Sequence, residues 1–98
     1  MQLHIERRAE IALRSLQKNE QNQINRALNE LLDLDRATLM QSPRLNILAS
    51  GFSSRKLFVY KGSPTLRLVL TFDDDMCVLE DVVYHDRLDR LVKREGQE

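Results

Sequence analysis

The spacing of apolar residues along the chain changes its period once, from helical to strand-like. In the first third, Ala9, Ala12, Leu13 and Leu16 recur at intervals of three and four residues, which places them on one face of a helix that begins near Glu6. The polar stretch QKNEQNQ interrupts that face. Ile24, Ala27, Leu28 and Leu31 then repeat the spacing, and Leu34 extends it. Two amphipathic helices joined by a short polar loop predict an antiparallel helical hairpin. Ahead of them, QLHI alternates over four residues and reads as a brief first strand.

The segment DLDRATLMQSPRLNILASGFSSR holds no sustained period and contains Pro43 and Gly51, so it reads as a connection with one helical turn. Beyond it the period is two. LFVY is a strand, KGSP a turn, and LRLVLTF a second strand in which Leu66, Leu68, Leu70 and Phe72 alternate with Arg67, Val69 and Thr71. DDD turns the chain into a third strand, CVLEDVVY, giving an antiparallel meander. Leu88, Leu91 and Val92 at one-turn spacing predict a short closing helix, and REGQE frays. The order predicts an α+β fold: an N-terminal strand and a two-helix hairpin packed on one face of a mainly antiparallel sheet, with a short C-terminal helix. The other face is expected to be open, with Arg67 on it.

Length and composition narrow the classes. Ninety-eight residues make one domain, 1–98, with one modest core. At 42% hydrophobic and 31% charged the chain is globular rather than disordered, and no apolar run is long enough for a membrane span. The charged N-terminus MQLHIERRAE lacks the apolar stretch of a signal peptide, so a cytoplasmic location is expected. The one cysteine, Cys77, lies in an apolar run and reads as a small buried hydrophobe.

The net charge is zero, yet its distribution is uneven. Residues 41–72 carry no acid and five bases: Arg44, Arg55, Lys56, Lys61 and Arg67. Residues 73–86 carry acids and no base. Local potential rather than total charge attracts a phosphate, so the basic run marks an anionic ligand.

Candidate chemistry gathers in the second half. Arg67 stands mid-strand between leucines, where a cation needs a partner. That partner is either Glu80 or Asp81 on the neighbouring strand, or a phosphate gripped by the guanidinium fork. Arg55, Lys56 and Lys61 add to the same field, and Tyr60 offers an aromatic face, whereas Phe58 belongs to the core. In VVYHDRLDRL, Asp86 reads as the N-cap of the last helix, leaving His85 at the rim of the sheet beside Tyr84. An imidazole exchanges protons near neutral pH. His85 with Asp86 lacks the further ligands of a metal centre, and DDD reads as a solvated turn, so no metal or other cofactor is expected. These groups suit cleavage of RNA by its own 2′-hydroxyl: the arginines and lysines neutralise charge at phosphorus, His85, Tyr84 or a lysine serves proton transfer at the two oxygens, and no metal is obligatory.

Over roughly residues 2–93 the chain resembles the RelE/ParE superfamily of toxins from bacterial type II toxin–antitoxin modules. The resemblance is carried by the first strand running into ERRAEIALRSLQKNEQNQINRALNELLDL, the basic SSRKLFVYKG, the arginine in LRLVLTF, the acidic DDD turn and the closing VLEDVVYHDRLDRLV. It implies a toxin that cleaves mRNA on the ribosome and is neutralised by a cognate antitoxin in a hetero-oligomer. By position, Arg67 matches the phosphate-binding arginine of ribonuclease members, His85 and Arg87 fall near their terminal catalytic positions, and Arg55, Lys56 and Lys61 lie near their basic group. The strand before Arg67 reads LFVYK, with aromatic residues where ribonuclease members often carry lysines. Two other readings therefore stand beside the first: a DNA gyrase poison of the ParE type, and a degenerate module that binds antitoxin without activity.

Overall fold

The computed structural model describes residues 1–48 and 56–88. Arg55 and the apolar positions Leu91 and Val92 lie outside the described residues. The elements in order are β1 (Gln2–Ile5), α1 (Arg7–Ser15), α2 (Lys18–Leu32), α3 (Arg36–Met40), β2 (Leu45–Leu48), β3 (Leu57–Lys61), β4 (Leu66–Asp73) and β5 (Met76–Tyr84). Residues 85–88 are helical. The α+β class and the helical hairpin on a mainly antiparallel sheet are as the periodicity implied.

Two boundaries differ from expectation. The polar stretch QKNEQNQ is mostly helix. Only Leu16 and Gln17 separate α1 from α2, and Gln17 opens α2 with a capping box in which its own N–H donates to Glu20 Oε1 at 3.0 Å. The first turns of α2 face solvent, so their polarity signals exposure rather than a break. The connection also holds a strand, β2, which pairs antiparallel with β3 through Leu45 opposite Tyr60 and Ile47 opposite Phe58. Its helical turn is α3, capped by Asp35, whose carboxylate accepts from the Thr38 N–H at 2.7 Å and is thereby held below its ordinary pKa.

The sheet order is β1-β5-β4-β3-β2, with β1 parallel to β5 and every other pair antiparallel. Between β4 and β5 the register shifts: Val69 faces Asp81 while Leu70 faces Leu79, so Glu80 is an extra residue on β5. The bulge reconciles CVLEDVVY with a single buried face, because Cys77 and Leu79 before it and Val82 after it all turn toward the helices. That layer is the core. Ala9 of α1 and Ile24, Ala27, Leu28 and Leu31 of α2 close over Leu66, Leu68, Leu70, Cys77 and Leu79. Removing each large side chain from water contributes about 2 kcal/mol.

The other face carries Val59, Lys61, Arg67, Val69, Thr71, Val78 and Val83 by alternation, and it is not open throughout. Val59, Thr71 and Val78 are buried, whereas Lys61 is exposed and Arg67 half-buried. The valines make the middle of this face apolar, half-buried Asp81 stands on it opposite Val69, and the end carrying the two cations is accessible. Among the described residues, no helix is long and apolar enough to cross a membrane.

Candidate phosphate-binding site

The accessible end of that face is built around the turn between β3 and β4. Gly62 and Ser63 both donate backbone N–H to Leu66 O, at 3.1 and 3.2 Å, and Ser63 Oγ accepts from the N–H groups of Thr65 and Leu66 at 3.3 and 3.0 Å. The turn is tight because Gly62 presses against α2: a Cβ there would lie 2.8 Å from Ile24 Cδ1. Antiparallel pairing then sets Lys61 directly opposite Arg67. Arg67 is fixed by its own turn, Nη1 donating to Ser63 O at 2.8 Å and to Leu66 O at 3.0 Å. Nε and Nη2 make no bond to the described residues, so part of the guanidinium fork remains available.

The salt bridge from Arg67 to Glu80 or Asp81, the alternative to a phosphate, is not formed. The register places Val83 opposite Arg67, and the carbonyls of the turn hold Nη1 instead. Two cations facing each other across a ladder repel. An anion bound between them would relieve that repulsion.

His85 reaches the same end of the sheet. Leu66 pairs with Tyr84, and one step further the His85 N–H donates to Thr65 O at 2.8 Å. Its half-buried imidazole has Nε2 3.1 Å from Asp86 Oδ1. Asp86 does not cap the helix. His85 is already helical, which puts Asp86 at the second position of the turn, where its charge still opposes the partial positive charge of the helix start. Arg87 follows, exposed, in the same turn.

The remaining candidates are placed elsewhere. Tyr60 is only 2% exposed, on the helix-side face, beneath the Arg44 guanidinium at 4.6 Å from its ring centroid. It has no open ring face for a base to stack on, because strand alternation pairs it with Phe58 rather than with Lys61. Burial pushes its hydroxyl pKa up, against the pull of Arg44. Tyr84 also turns toward the helices: its hydroxyl donates to Glu20 Oε2 and Oε1 at 3.2 and 3.3 Å. Desolvation and the Glu20 carboxylate together raise its pKa. Lys56 precedes β3 and lies five residues from Lys61, about 17 Å along an extended strand, in a hollow with Arg36, Phe58 and Asp73. The structure therefore brings together Lys61, Arg67, His85 and Arg87 at one end of the sheet and separates Lys56, Tyr60 and Tyr84 from Arg67.

Two further arginines stand near this end. Arg26 of α2 and Arg44 before β2 line a groove of about 420 Å³ beside the turn. Arg44 was visible only as one charge in a basic run, and Arg26 lay on a helix face whose neighbour in space the sequence does not give.

The whole arrangement matches solved structures closely in shape. The YoeB dimer from Staphylococcus aureus superposes with a TM-score of 0.65 at 20% identity, over 87% of this chain and 97% of that one. The archaeal RelE–RelB complex from Pyrococcus horikoshii gives 0.64 at 14% identity over 88% and 96%, and YafQ from E. coli gives 0.65 at 14% over 88% and 94%. This chain has the RelE/YoeB fold. No family model matches the sequence, and no curated protein matches it.

Proposed function

We propose that the chain, as a single domain of residues 1–98, is the toxin of a bacterial type II toxin–antitoxin pair. In this reading it is a cytoplasmic, metal-independent endoribonuclease that cleaves mRNA on the ribosome and is silenced by a cognate antitoxin protein. The fold shared with YoeB, RelE and YafQ supports it, as does the fact that RelE was solved in complex with RelB and a YoeB with YefM. The observation that carries it is the pair Lys61 and Arg67, two cations held opposite each other on an apolar sheet face by backbone pairing and by the carbonyls of Ser63 and Leu66.

The chemistry follows from that pair. The RNA 2′-oxygen attacks phosphorus, the 5′-oxygen leaves, and the products are a 2′,3′-cyclic phosphate and a 5′-hydroxyl end. Negative charge grows on the non-bridging oxygens, and the guanidinium of Arg67, already held by the turn, meets it with the Lys61 ammonium opposite. A proton leaves the 2′-hydroxyl and one reaches the 5′-oxygen. His85, at the same end of the sheet, handles one of these transfers, and Arg87 adds positive charge.

Removing one such preorganised donor costs about 10²–10³-fold in rate. Inducing the chain without a partner and mapping new mRNA 5′ ends should give cuts in phase with the reading frame. Arg67→Ala should abolish them with the protein still folded. Growth arrest without new 5′ ends would refute the ribonuclease reading and point to a target such as gyrase.

A further inference from the structure

Beside the turn, on the helix side, lies the groove between α2 and the residues that follow Lys61. Small residues, Ala27 and Gly62, are among those that line it. Its chemistry is set by Arg44. That guanidinium is immobilised on three sides: it stacks on Tyr60, its Nε and Nη2 donate to Lys61 O at 3.1 and 2.7 Å, and its Nη1 donates to Glu30 Oε2 at 2.9 Å. Arg26, one helical turn before Glu30, is exposed and makes no ion pair with the described residues.

The groove thus already holds one carboxylate against a preorganised arginine and has a second arginine without one. Glu30 is half-exposed, at 52%, so it can give way at little cost. A fixed guanidinium fork is matched to carboxylate and phosphate alike. Two features favour the carboxylate. Single-stranded nucleic acid binds along basic grooves that also offer aromatic rings for stacking, and here, among the described residues, the ring beside the groove, Tyr60, is covered by Arg44. The walls include Ala27 and Pro64, apolar contacts suited to a peptide side chain next to an acid.

We infer that this groove is a docking site for an acidic segment of a partner protein, with one carboxylate seated between Arg26 and Arg44 and competing with Glu30. The inference rests on the proposed pairing with a protein partner, and it names the surface and the chemistry of that contact. It also gives the contact leverage. The same turn that offers Lys61 O to Arg44 offers Ser63 O to Arg67 on the other face, so a segment held in the groove grips the support of the phosphate site.

The test uses the full purified chain and two fluorescent probes: a synthetic peptide of alternating Glu and Leu, and an oligouridylate. Binding is read by anisotropy at low salt. Arg26→Ala should weaken the peptide about tenfold, the loss of one charge-assisted contact. Glu30→Gln should strengthen it, since a competing carboxylate is gone; a merely structural Glu30 would produce the opposite sign. The oligouridylate should respond to Arg67→Ala and ignore Arg26→Ala. The inference is overturned if the wild-type chain does not bind the peptide, if Arg26→Ala leaves peptide binding intact, if Glu30→Gln weakens it, or if Arg26→Ala costs oligouridylate binding. The response of the oligouridylate to Arg67→Ala tests the ribonuclease reading separately.

Discussion

Gly62→Ala is a single methyl group added at the most crowded point of the turn, and its cost can be worked out in advance. The new Cβ would lie 2.8 Å from Ile24 Cδ1, 3.4 Å from Leu68 Cγ and 3.6 Å from Leu66 O. Carbon atoms prefer about 3.5–4.0 Å, so the first contact is too close by most of an ångström. Ile24 is fully buried, and its methyl cannot swing into solvent. Overpacking of this kind costs about 1–3 kcal/mol. Gly62 has no positive φ, so alanine meets no backbone strain and gains about 0.4–1 kcal/mol from a less flexible unfolded chain. The net loss should be about 1–2 kcal/mol, or roughly 4–16 °C in Tm for a domain of this size. Ile24→Val deletes the offending Cδ1 and alone should cost about 1 kcal/mol. In the double variant the clash has gone, so the two losses should fall short of additivity by about 1 kcal/mol. Urea unfolding followed by circular dichroism on the four proteins measures all three quantities. A neutral Gly62→Ala, or strictly additive losses, would falsify the argument that α2 dictates glycine at this turn.

Further expectations concern titration and reactivity. Both tyrosines of the chain have hydroxyl pKa values raised above 10.0, so a native ultraviolet titration should show no phenol ionising at the ordinary value, and Glu20→Gln should bring the Tyr84 transition down. Because the folded pKa values exceed the unfolded one, their contribution to stability is complete below pH 10 and lost above it. Alkaline unfolding should accordingly be shallower in Tyr60→Phe, measured by denaturant midpoints across that range. Burial pushes the Cys77 thiol up to about 11, so a thiol reagent at pH 8 should label it only after denaturant is added; rapid labelling of the native chain would contradict its buried place in β5.

What the sequence disclosed follows from which residues report their neighbours. LRLVLTF shows its two faces by alternation, and Arg67 could be assigned to the face away from the helices before any coordinates. The same alternation in LFVYK places Tyr60 with Phe58, a placement that its aromatic character obscured. β2 escaped notice because LNIL is short and preceded by Pro43 in a segment without sustained periodicity. Its pairing comes from β3, not from any pattern of its own. The beginning of α2 was hidden because Lys18, Asn19, Asn22 and Gln23 look to water, and a solvated helical turn has the composition of a loop. The groove was illegible for a different reason. Arg26 and Arg44 are separated in the chain and line one groove where Gly62 lets the turn settle onto α2.

The parallel pairing of β1 with β5 governs the order in which this molecule can be completed. Gln2 and Met76 are neighbours in the sheet although 74 positions separate them, and no earlier strand pairs with β1. On a translating ribosome the first strand must therefore wait, unpaired, until β5 has emerged, while the helices between are free to form at once. The strand it waits for is also the one that carries Val83 opposite Arg67 and leads into His85. Closing the sheet and assembling the basic end are thus one late event in synthesis. A chain cut short before Met76 would hold Lys61 and Arg67 but neither His85 nor a closed sheet, so truncated copies should carry no activity of their own.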